Sequence, residues 1–260
     1  MAGSQMAASG RVRFLGIDFD EASTESAADD ILAAGKLPFQ YVVTPNVHHV
    51  VKLHETGGDG FVRYADAWKV YCDSRVLSQL ARACGLNLPV VTGSDLTAVL
   101  VQRASDLNLK VAIVGPSAED CAILARRYPG LDMSSYTPPM GFINSEAEIK
   151  KCIDFVVSHP AALTFLAVGM PQQEILAQRI AEQGEARGVG LCIGASIDFL
   201  TLKQQRAPLW VQRFGLEWMH RLLSDPKRLA RRYLIECPRI FPLIITHVRD
   251  TRSRGRSPAA

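Results

Sequence analysis

From Arg11 onward the chain alternates between short β-rich runs and helical patterns, and this alternation restricts its fold more than any other feature. The runs are RFLGIDF, FQYVVTP, WKVYC, LPVVTG, LKVAIVG, LTFLAVG and GLCIGA. Amphipathic stretches lie between them at 21–34, 75–84, 95–107, 119–128, 146–158 and 172–183. Strand and helix in turn require right-handed crossovers and a mostly parallel sheet covered on both faces, a Rossmann-like α/β architecture. A chain of 260 residues has room for one such domain, expected over 11–205, plus an appended segment. Residues 1–10 are small and polar and read as a disordered leader.

In open α/β sheets, ligands bind in the crevice beyond the carboxyl ends of the strands. Those ends here are rich in Gly, Pro, Ser, Thr and Asp, which leaves backbone amides at helix N-termini open to an anion. The outline is that of a nucleotide site. Its donor-side candidates are Asn46, Gly93, Asp95, Gly115, Gly169 and Gly194, together with Pro171, Gln173 and Glu174 at the start of a helix. Pro171 and Glu174 also suit ordinary helix-start chemistry. Asp73, at the end of WKVYC, has two roles open to it. It can cap the helix that begins near Ser74, or it can act as a general base toward an attacking hydroxyl.

Several other chemistries lack their signatures. His48 and His49 point about 100° apart on a helix, and His54 follows His49 by five, so no i, i+4 metal pair forms. Thr44 and His48 are expected to face the crevice and Asn46 to cap the helix that follows it. No metal site or cofactor is expected. The glycines of Gly188-Val189-Gly190 precede a strand, which removes the dinucleotide fingerprint and disfavours an NAD-dependent dehydrogenase. The six cysteines are widely spaced, with no Cys-x-x-Cys pair, and no signal peptide is evident, so reduced thiols in a cytoplasmic protein are expected.

Charge is unevenly distributed. Residues 206–260 hold twelve Arg or Lys against four acids, a net +8 that leaves −5 for the rest of a chain whose total is +3. A helical appendage is expected over 206–248, built from helices at 208–223 and 226–236 and a Pro-bounded apolar segment, and then a disordered basic tail over 249–260. Asp225 before Pro226 suits an N-cap. Arg228, Arg231 and Arg232 sit at i, i+3 and i+4 on one face, the pattern of an interfacial helix that grips a diphosphate. Ile240–Val248 is far shorter than the roughly 20 residues a spanning helix needs. A nucleic-acid-binding module is the rival class. It predicts aromatic residues interleaved with the basic ones on an exposed surface, whereas Trp210 and Trp218 follow an apolar packing pattern, and no nucleic-acid partner is expected.

The order of Gly194-Ala195-Ser196-Ile197-Asp198-Phe199, Arg206-Ala207-Pro208, Gly215-Leu216-Glu217-Trp218, Arg221-Leu222 and Asp225-Pro226 with Arg228, Leu229, Arg231, Arg232 and Tyr233 closely resembles the WecG/TagA/CpsF family of bacterial glycosyltransferases. Upstream matches are Thr44-Pro45-Asn46, Thr92-Gly93-Ser94-Asp95-Leu96, Pro138-Pro139-Met140-Gly141-Phe142 and Gly169-Met170-Pro171-Gln172-Gln173-Glu174. The resemblance covers roughly residues 12–235. It implies a metal-independent, inverting transfer from a UDP-sugar to an undecaprenyl-diphosphate-linked sugar at the cytoplasmic leaflet, in cell-surface polysaccharide synthesis. It also implies Asp73 as the base with Thr44 beside it, and Gln173, Gly194 and Asp198 on the nucleotide. Arg206, Arg221, Arg228, Arg231 and Arg232 are implied at the acceptor diphosphate. The chain departs from common family patterns at Ser74, Gln172 and the order Pro45-Asn46, positions around the sugar pocket. Both N-acetylmannosamine-type and glucose-type donors therefore stay open. Apolar surface on the C-terminal helices offers a route to a homo-oligomer.

Overall fold

The computed structural model describes residues 10–204, 207–208, 211 and 215–254, the last five by their backbone alone. Arg206 and Trp210 lie outside the described residues. The chain opens with β1 (Arg11–Phe14) and β2 (Ile17–Asp20), an antiparallel hairpin turned by Leu15-Gly16. This corrects the expectation of one strand over RFLGIDF. Both Leu15 and Gly16 have positive φ, the signature of a tight hairpin turn. The hairpin is tied to the main sheet by Asp20, whose buried carboxylate accepts from the Val70 amide at 2.9 Å.

There follow α1 (Thr24–Ala33), β3 (Gln40–Val43), α2 (Val47–Thr56), α3 (Gly58–Ala65), β4 (Lys69–Val70), α4 (Arg75–Ala83), α5 (Gly93–Asp106) and β5 (Lys110–Val114). Next come α6 (Ala118–Arg127), β6 (Asp132–Tyr136), α7 (Glu146–Ser158), β7 (Leu163–Leu166), α8 (Gln172–Gln183), β8 (Val189–Cys192) and α9 (Ser196–Leu200). Six strands form a wholly parallel sheet in the order β4-β3-β8-β7-β5-β6. The central β7 and β8 are buried along their whole length, as apolar strands covered on both faces should be.

Two runs differ from their reading. LPVVTG contributes a single bridge from Val90 to Cys72 in place of a strand, and WKVYC is reduced to the two residues of β4. Asp132–Tyr136 is an additional edge strand, only partly buried and too polar for an apolar-run pattern to find. The core is double. One cluster on the sheet joins the hairpin to α2, α3, α4, α7 and α8, and the other gathers α1, α5, α6 and α9.

The C-terminal segment is helical: α10 (Glu217–Ser224), α11 (Pro226–Ala230), a π-turn over Arg231–Glu236, a 3-10 turn over Cys237–Arg239 and α12 (Ile240–Arg254). Asp225 caps α11, accepting from the Arg228 amide. Ile240 is buried in the first cluster and His247 meets the Phe14 ring edge-on, centroids 5.3 Å apart, so α12 returns to the N-terminal hairpin. The three arginines of the expected face differ in exposure and partners. Arg228 and Arg231 are exposed and pair with Asp225 and Glu236, while Arg232 turns inward.

Candidate active site

A cleft of about 280 Å³ opens beyond the carboxyl ends of β3 and β4 and is closed on its far side by the C-terminal helices. Its polar lining includes Asn46, Asp73, Thr92, Ser94, Arg221 and Arg232, and its apolar lining includes Val47, Leu80, Trp218, Tyr233 and Phe241. A lining that combines charged and apolar side chains suits a ligand with both anionic and greasy parts.

Asp73 is partly buried in this cleft. It does not cap α4, because Ser74 does so, its Oγ accepting from the Leu77 amide at 3.1 Å. Asp73 Oδ1 accepts instead from the Gly93 amide, the first N–H of α5, at 3.0 Å. Burial pushes its carboxyl up to about 6, against the opposing pull of Arg221, the Gly93 amide and a hydrogen bond with Asn46; Glu217 adds a further rise. The result is a carboxylate that is ionised at neutral pH yet basic enough to accept a hydroxyl proton.

Thr44 is buried next to this carboxylate's support. Its Oγ1 reaches the Cys192 carbonyl at 3.5 Å, and a Cβ added to Gly93 would stand 2.8 Å from it. Asn46 caps α2, its Oδ1 accepting from the His48 and His49 amides, and the same oxygen accepts from Arg232 Nη2 at 3.3 Å. His48 faces the cleft as expected, with Nε2 2.8 Å from Glu236 Oε2. Burial first and Arg232 second hold His48 below its usual range, and the same two causes push His49 down to about 3, so both rings are neutral at pH 7.

The other donor-side residues stand apart from this cleft. Gln173 and Glu174 are buried at the start of α8, where Gln173 Oε1 accepts from the Gly194 amide at 2.7 Å and its Nε2 donates to Glu174 at 2.9 Å. Burial raises the Glu174 carboxyl. These two side chains thus brace the end of β8. Pro171 precedes them through a cis bond from Met170, with Gly169 in a left-handed turn just before. Gly115 approaches the Ala167 backbone so closely that a Cβ would lie 2.6 Å from its carbonyl oxygen. Asp95 Oδ2 accepts from Thr92 Oγ1 at 2.6 Å at the start of α5. Asp198 accepts from Gln204 Nε2 at 3.2 Å, and burial raises its carboxyl.

Of the arginines, Arg221 and Arg232 reach the cleft, and Arg221 lies over the Phe199 ring at 5.0 Å. Arg75 and Glu217, which also line it, were not singled out from sequence. The motif Gly215-Leu216-Glu217-Trp218 was the only signal for Glu217. Among the described residues no cluster of three or more His, Cys, Asp or Glu is placed to hold a metal ion, and no helix is long and apolar enough to cross a membrane.

Residues 12–254 match the Glycosyl transferase WecG/TagA/CpsF family along their whole length. The chain belongs to this family. Among curated relatives, an N-acetylglucosaminyldiphosphoundecaprenol N-acetyl-beta-D-mannosaminyltransferase of Bacillus spizizenii is 29% identical over 164 residues, 61% of this chain. That match spans 60% of the relative's own length.

Proposed function

We propose that the protein transfers a sugar from a UDP-sugar to a sugar carried on undecaprenyl diphosphate, with inversion, in the synthesis of a cell-surface polysaccharide. Asp73 carries this reading: a carboxyl pushed up to about 6 at a strand end, in a cleft lined by both arginines and apolar side chains. Asp73 accepts the proton of an acceptor hydroxyl as that oxygen bonds to the anomeric carbon. The bond from the anomeric carbon to the diphosphate breaks on the opposite face, and UDP leaves. Arginine from the C-terminal helices offsets the charge that develops on the leaving group, in place of a metal ion.

The relative named above is an N-acetylglucosaminyldiphosphoundecaprenol N-acetyl-beta-D-mannosaminyltransferase, which makes an N-acetylmannosamine-type donor the first to try. A glucose-type donor is the second. The apolar side chains of Leu223, Leu234, Ile235, Phe241 and Ile245, all exposed on the C-terminal helices, support peripheral contact with the inner face of the cell membrane. The deciding experiment is a panel of UDP-sugars assayed for UDP release with a polyprenyl-diphosphate-linked N-acetylglucosamine acceptor. Turnover with at least one donor that depends on the acceptor is expected, and none across the panel rejects the reading.

A further inference from the structure

Glu217 takes no part in the reaction as written, yet it reaches across the cleft to the catalytic side. Arg75 Nη1 donates to Glu217 Oε1 at 3.0 Å, and the two side chains are 30% and 28% exposed. Arg75 is the first residue of α4 and lies two positions beyond Asp73. The C-terminal segment meets the same turn a second time at Gly215, where a Cβ would lie 3.3 Å from Gln79 Nε2 and 3.7 Å from Arg75 Cβ. Gly215 has φ +71°, so both its conformation and the close approach favour glycine. Arg221 sits one helical turn beyond Glu217, Trp218 immediately follows it, and both line the cleft. Whatever fixes Glu217 therefore fixes the two side chains that α10 presents to Asp73.

We propose that Glu217 is a positioning residue for transfer, acting through Arg75 to seat α10 so that Arg221 and Trp218 face Asp73. The proposal rests on the reading of Asp73 as base. It differs from a general role in stability because Glu217 also places a negative charge near that carboxylate, which raises its proton affinity. That effect is visible in a pH profile.

The test compares wild type, Glu217→Gln, Glu217→Ala, Arg75→Ala, the double variant Arg75→Ala/Glu217→Ala and Asp73→Asn. Each is assayed with polyprenyl-diphosphate-linked N-acetylglucosamine and the best UDP-sugar of the panel. Glu217→Ala and Arg75→Ala are expected to raise the acceptor KM by about fivefold, the upper end for a partly exposed ion pair. The donor KM should stay near wild type, and the double variant should be no worse than either single one. Glu217→Gln keeps an oxygen for Arg75, so its acceptor KM stays within about threefold while the acid limb of kcat/KM moves to lower pH. A wild-type acceptor KM and acid limb in Glu217→Ala overturns the proposal, as do single effects that multiply in the double variant. Should Glu217→Ala fail to fold, a wild-type KM in Arg75→Ala with an unmoved acid limb in Glu217→Gln overturns it equally. Asp73→Asn separates the two levels. Retained activity there refutes the base assignment, whereas an inactive Asp73→Asn beside an unaffected Glu217→Ala removes the positioning role alone.

Discussion

The Gly93 amide donates to Asp73 Oδ1 at 3.0 Å, so the N-terminus of α5 is bonded to the carboxylate that ends the neighbouring strand. A helix N-terminus favours the ionised form, and burial disfavours it. Burial wins, leaving the carboxyl at about 6.

If Asp73 is the base, kcat/KM falls as pH drops through about 6, because the protonated carboxyl can no longer accept the hydroxyl proton. UDP release measured from pH 5 to 8 should show a single acid limb there. Asp73→Asn should lower transfer by roughly 10²–10⁴-fold. Near wild-type transfer in that variant rules out the assignment.

The same shift predicts a trade between activity and stability. The folded carboxyl titrates at about 6 and the unfolded one near its ordinary value of 3.8, so between those pH values the folded state holds the extra proton. Stability contributed by this group is complete below about pH 4 and is lost as pH rises to about 6. Asp73→Asn should therefore be more stable than wild type at pH 7.5, by about 1–3 kcal/mol, with the gain shrinking toward pH 4. Thermal melts at the two pH values check the sign.

Gly93→Ala should disturb the site through Thr44. The new methyl would stand 2.8 Å from Thr44 Oγ1, which is buried and has little room to move. A loss of about 1–3 kcal/mol is expected from overpacking. Calorimetry of Gly93→Ala/Thr44→Ala should recover much of that loss, since the second change removes the atom in the way.

The inward and outward arginines should separate cleanly. Arg232 bonds Asn46 inside the cleft and Arg221 lines it, whereas Arg228 and Arg231 are exposed. Alanine at Arg221 or Arg232 should lower kcat/KM for a detergent-dispersed acceptor by about 10- to 100-fold, the scale of a lost charge-assisted contact. Alanine at Arg228 or Arg231 should change it by no more than about threefold. Equal effects at all four positions reject the distinction.

If arginine stands in for a metal at the leaving group, chelation is harmless. Turnover after EDTA treatment should match the untreated enzyme, and added Mg²⁺ should not raise it. Activity lost in EDTA and restored by Mg²⁺ contradicts the proposal.

Periodicity and strand-end composition were sufficient to place a parallel α/β sheet and to put Thr44, Asn46 and Asp73 at its carboxyl edge, because those signals are local and repeat along the chain. Helix starts such as Gln172 and ends such as Ser158 were legible for the same reason. The polar edge strand Asp132–Tyr136 was not, since half of it faces solvent and it lacks an apolar run. Nor was the π-turn over Arg231–Glu236. What only the tertiary structure decided was which polar groups meet. Asp73 finds the Gly93 amide twenty residues away, and Glu217 finds Arg75 across 142. Residue types and their order fix which local elements form. Contacts that set a carboxylate's proton affinity act between elements distant in sequence, over a few ångströms that only packing brings about.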